Sequence, residues 1–231
     1  MIVAATLVPS TPLLVPELGG QHPPLPELRS ASARAVAALL DARPDLVVVV
    51  GPAPATATWP SDSAVDLGPF LGRATTGRAL PLALALGATL LRAAGFPGGT
   101  VFQAVAADAA PAACAALGRS LVDGAERVAL LVVGDGSARR TPKAPGWFDA
   151  RAEAFDAATD RAVRSGDLGA LLDLDPDLAT ALQAAGRPAW QVLAGAAGDL
   201  PCHSRVDYAD APLGVGYLVA ALRFGHDRSR V

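Results

Sequence analysis

The stretch VALLVVGDGSARR, residues 128–140, decides how this chain folds. Six apolar residues, Val128 to Val133, run without interruption into Gly134-Asp135-Gly136-Ser137 and then two arginines. A strand with one wet face alternates apolar and polar residues. An unbroken apolar run instead suits a strand covered on both faces, as in a parallel sheet between layers of helices. In open α/β sheets the ligand crevice lies beyond the carboxyl ends of the strands. The loop after Val133 therefore brings Asp135, Ser137, Arg139 and Arg140 to the place where binding or chemistry would occur, with Lys143 close behind.

Outward from that stretch, similar runs recur. Ile2 to Val8 reads as a first strand, and DLVVVV (45–50), TVFQAV (100–105) and VGYLVAAL (215–222) as others, with a shorter one at 204–208. The intervening segments have helical spacing. In 25–42 the apolar residues Leu28, Ala31, Ala35, Leu39 and Leu40 follow the 3.6-residue period. Residues 80–94 are apolar nearly all round and end at Gly95, while 111–122 open on a proline suited to a first turn. A further helix is predicted over 149–164, and short ones at 167–172, 176–185 and 188–197. Strands alternating with helices predict an α/β fold: one domain over 1–231, with a central, mostly parallel sheet flanked by helices. Two proline-rich loops, 9–24 and 52–63, follow strands and are expected to meet the Gly-Asp-Gly-Ser loop at one edge of the sheet.

Composition narrows the function classes. At 231 residues, 52% hydrophobic and 18% charged, the chain is long enough for one sizeable core. A net charge of -3, with no basic stripe interleaved with aromatics, argues against a nucleic-acid partner. No apolar run approaches the ~18–20 residues of a membrane span, and MIVAATLVPSTP lacks the basic start of a signal peptide. Two cysteines, neither in a C-x-x-C pair, suit a cytoplasmic protein with reduced thiols. Abundant Ala and Arg with a single Met suggest a GC-rich bacterial genome.

The order of motifs carries a resemblance. LVPSTPLLVPEL (7–18) follows the first strand and VVVVGPAP (47–54) forms the second strand with its loop; VVGDGSARRTPKAPGWFDARAEAFD (132–156) comes next. LLDLDPDL (171–178), AAGRPAWQVLAGA (184–196) and DYADAPLGVGYLVA (207–220) complete the series. Together they resemble the class III extradiol ring-cleavage dioxygenase family, including its Memo-like relatives. That resemblance implies the family's α/β fold and a homodimer. It also implies a non-haem Fe(II) held by two histidines and a carboxylate, with positions open for a catechol and dioxygen. A further histidine would serve as acid and base.

Placed on this sequence, the family's pattern meets other residues. The first ligand segment reads Ser10-Thr11-Pro12 and the second Gly51-Pro52-Ala53. The acid/base segment reads Ser137-Ala138-Arg139, and the late carboxylate falls near Ala184-Ala185-Gly186. The chain's three histidines are His22, His203 and His226, none directly after the strands at 45–50 or 128–133. A rearranged iron site would have to recruit His22 and His203, with Glu17 or Asp135. The bland alternative makes His22 a loop residue, has His203 open a strand and puts His226 in a charged tail.

The remaining polar residues each admit two readings. Asp135 and Ser137 are a carboxylate and hydroxyl for catalysis, or they bond the local backbone as turn residues do. Arg139, Arg140 and Lys143 either grip an anionic ligand bidentately or form a solvated patch. Ser10 and Thr11 belong to the crevice, but Ser10 has no G-x-S-x-G elbow around it. Cys114 reads as core, and Cys202 beside His203 leaves a thiolate pair open. The leading expectation is a divergent family member, a pseudoenzyme candidate. It would bind a small molecule, anionic or aromatic, or run a metal-independent reaction, with no cofactor. Fe(II) enters only under the alternative of a rearranged metal-dependent oxidoreductase acting on an aromatic substrate. A third possibility is a non-catalytic partner of a complete enzyme.

Overall fold

In the computed structural model the described residues are 1–15, 24–71 and 79–225. Glu17, His22 and His226 lie outside them. The strand at the centre of the expectation, β5 (Val128–Val133), is buried at every position. Its side chains alternate between two cores: Val128, Leu130 and Val132 face one, and Ala129, Leu131 and Val133 the other. That is why the run needs no polar residue, and each fully buried Val or Leu contributes about 1.5–3 kcal/mol. The strand β2 (Leu46–Ala53) divides its valines the same way, Val48 and Val50 against Val47 and Val49.

Seven strands form one sheet. Beyond β2 and β5 these are β1 (Ile2–Val8), β3 (Ala57–Trp59), β4 (Gly99–Ala106), β6 (Cys202–Asp210) and β7 (Tyr217–Phe224), in the order β3-β4-β2-β5-β1-β7-β6. The four central strands are parallel. The three outer pairings, β3 with β4, β7 with β1 and β6 with β7, are antiparallel. The sheet is thus mixed, with as many antiparallel pairings as parallel ones, and not mostly parallel. The reason is connection length. The links 54–56 and 211–216 are too short for a crossover, so each strand beyond them must run back antiparallel to its neighbour.

Helices α1 (Pro26–Asp41) and α2 (Leu82–Ala93) pack on one face. The other face is covered by α3 (Pro111–Leu121), α4 (Ala152–Ser165), α5 (Pro176–Ala181) and α6 (Arg187–Ala197). The path β1–α1–β2–α2–β4 moves outward along the sheet. The chain then returns through α3 on the opposite face and inserts β5 between β2 and β1. Right-handed crossovers require that change of face when the direction of travel reverses. The reversal opens a crevice at the carboxyl ends of β2, β5 and β1.

Candidate functional site

The loop after β5 is bound to its surroundings by backbone hydrogen bonds. Gly134 N–H donates to the Val8 carbonyl (2.9 Å), Gly136 N–H to the Gly216 carbonyl (2.7 Å), and Gly216 N–H to the Ser137 carbonyl (2.8 Å). Arg140 N–H donates to the Gly214 carbonyl at 3.0 Å, and Ala138 N–H to Leu182 at 3.1 Å. The β6–β7 turn therefore clamps the loop from one side and the end of α5 from the other. On α4, Asp156 reaches under this clamp, accepting from Ser137 N–H (2.8 Å) and from the Arg140 guanidinium (3.0 Å). A methyl group on Gly216 would lie 2.1 Å from the Asp156 carboxylate, and one on Gly136 would lie 2.6 Å from it. Glycine is needed at both places for this close approach.

The expected site residues separate into two groups. Ser10 and Asp135 come together: the Asp135 carboxylate accepts from the Ser10 amide at 2.8 Å and from its hydroxyl at 2.7 Å. Burial pushes the Asp135 carboxyl up to about 6, and the two Ser10 donors pull it only part of the way back. Thr11 is buried, accepts from Leu13 N–H at 3.4 Å, and bonds the phenol of buried Tyr217, which also feels the Asp135 charge.

The other group faces elsewhere. Ser137 is wholly buried, donating to the Leu182 carbonyl (2.9 Å) and accepting from Arg139 N–H (3.1 Å), so it is a turn residue. Arg140 turns onto α4, against Asp156 and within 4.0 Å of Glu153. Arg139 packs its stem over Gly146, and Lys143 stands exposed in the following turn. The three cations make no common anion grip. Loop 52–63 also departs from expectation, since β3 leaves it to pair with β4 at the sheet's edge.

His203 is exposed on the edge strand β6, paired with Arg223, which in turn lies beside Ala4. Ser10 lies six positions beyond Ala4, about 20 Å along a strand, so His203 cannot share a ligand with Asp135. Its neighbour Cys202 has a thiol pushed up to about 11 by burial, which disfavours a thiolate. Among the described residues no cluster of three or more His, Cys, Asp or Glu side chains is placed to hold a metal ion. No described helix is long and apolar enough to cross a membrane.

A cavity of about 210 Å³ opens beside the clamp, between α4 and the β6–β7 hairpin. Gly136, Gly216, Tyr217, Leu218, Thr159 and Trp190 contribute its less polar lining, and Arg140, Glu153, Asp156, Asp160 and Asp210 its charges. Asp156 and Trp190 were not among the residues singled out by the sequence. Asp156 falls on the expected helix but gains its role only when the Gly216 turn folds over it, which no local spacing encodes.

No protein-family model matches the chain, and no curated protein matches it. Among solved structures, an uncharacterized protein from Escherichia coli K12, JW3007, has a TM-score of 0.54 with this chain at 13% identity. The match covers 96% of this chain and 99% of that one. It shows a shared α/β fold over nearly the whole length of both.

Proposed function

We propose that this protein is a divergent relative of the class III extradiol dioxygenases that has no iron centre and binds a small molecule at the carboxyl edge of its sheet. The cavity beside the Gly-Asp-Gly-Ser loop carries this reading. It lies next to the strand-end crevice where an α/β sheet of this topology takes its ligands. The residues at the family's ligand places do not fit iron. Ser10-Thr11-Pro12, Gly51-Pro52-Ala53 and Ala184-Ala185-Gly186 offer no imidazole, and Asp135, the carboxylate that the described residues place there, already accepts both Ser10 donors. With neither ligand imidazoles nor a proton-carrying histidine, catechol cleavage is not expected.

Protein loaded anaerobically with Fe(II), given catechols and then exposed to air should form no coloured ring-cleavage product. A product formed at enzymatic rates would overturn the reading. One observation favours a second reading, a metal-independent proton-transfer enzyme. Asp135, held near 6 against the Ser10 hydroxyl, has the acidity suited to a general base near neutral pH.

A further inference from the structure

The cavity's charges are unevenly matched. Arg140 is the one cationic side chain that the described residues contribute to it, and the guanidinium is already committed to Asp156 at 3.0 Å, with Glu153 4.0 Å away. Asp160 is paired with Arg164 on its own helix, which leaves Glu153 and Asp210 as the carboxylates in excess around the opening. Asp160 uses one carboxylate oxygen to accept from Arg164 at 2.8 Å, while its other oxygen is buried and accepts from no donor. Asp210 is exposed and, among the described residues, accepts only from its neighbour Ala211 N–H, at 2.7 Å. A buried carboxylate oxygen without a donor is an unmet demand for an N–H or O–H group. Deeper in, Trp190 and Tyr217, 2% and 5% exposed, supply aromatic surface, beside Leu218 and the two glycines. Aromatic surface of this kind favours a cation as well as an apolar body.

We infer that the ligand of this cavity is a small organic cation, an amine or guanidine on a compact apolar body. Its charged head would sit among Asp160, Asp210 and Glu153, and its body against Trp190 and Tyr217. The inference rests on the small-molecule reading above and replaces the anionic ligand expected from the arginines. A carboxylate or phosphate would meet Glu153 and Asp210 in excess, with Arg140 already bound to Asp156 and Arg164 to Asp160.

Benzylamine, benzyl alcohol and benzoate share one body and differ in charge, so they separate the two readings. Each is titrated into the 15N-labelled full chain, following the Trp190 indole N–H and the Gly136 and Gly216 amides. Benzylamine should shift these signals with at least about tenfold higher affinity than benzyl alcohol, benzoate should bind more weakly still, and added salt should weaken the amine alone. Asp160→Asn with Asp210→Asn should lower benzylamine affinity about tenfold and leave benzyl alcohol unchanged. These are helix-surface and hairpin-end positions, so the spectrum elsewhere should stay that of the folded chain. Equal or tighter binding of the alcohol or benzoate, or no effect of the double substitution, overturns the cation inference while the cavity remains a binding site. If none of the three molecules moves these signals, the small-molecule reading of the cavity falls as well.

Discussion

Asp135 stands where β5 ends, and its environment makes it titrate unusually. Its carboxyl is raised from 3.8 to about 6, chiefly by burial. Between those two values the folded state binds more protons than the unfolded chain, so stability falls as pH rises from about 4 to about 6. Asp135→Asn keeps an acceptor for the Ser10 amide and removes the charge. The variant should match the natural chain near pH 4 and exceed it by about 3 kcal/mol above pH 7, read from urea midpoints across pH. A difference that does not change with pH would contradict this. A second residue-scale outcome concerns Gly216, where a Cβ would meet Asp156 at 2.1 Å. Gly216→Ala should lose about 2–3 kcal/mol through overpacking, and Asp156→Ala in the same chain should recover part of it. Additive losses in a double-mutant cycle would argue against this contact.

At the scale of elements, the sequence displayed what periodicity can carry. The apolar run of β5 and the helical spacing of α1, α2, α3 and α4 all stand close to where they were expected, because burial on one or both faces leaves a period in the sequence. Strand direction leaves no such trace. Thus β3, three residues long, is lost inside a proline-rich loop, and together with the hairpin of β6 and β7 it makes half of the pairings antiparallel. The crest loops were legible as a location, and Ser10 with Asp135 does meet there. The turn of Arg140 onto Asp156 was not legible, since it depends on how α4 packs under the β6–β7 turn.

Arg187 at the start of α6 is another case. It is 1% exposed, donates to the Ala107 and Ala109 carbonyls at 2.5 and 2.6 Å and to Gln191 at 2.9 Å, and so ties α6 to the end of β4. The pair of polar residues four apart on an apolar helix was the available signal. Arg187→Leu should cost about 3 kcal/mol by stranding these acceptors. A loss below about 1 kcal/mol in urea denaturation would show that the acceptors find other partners.

Across the whole molecule, the sheet's topology sets the place where a site can lie. The parallel centre and its reversal of direction keep a crevice at the carboxyl edge, and fold alone does not determine what that edge does. Serine, alanine and proline occupy the places where the resemblance puts metal ligands, and Ser10 and Asp135 there already satisfy one another. The direct test is equilibrium dialysis of the intact chain against Fe(II) under anaerobic conditions, followed by iron analysis. No saturable uptake in the micromolar range is expected. One tightly held equivalent of iron per chain would contradict the claim that this edge has no metal centre.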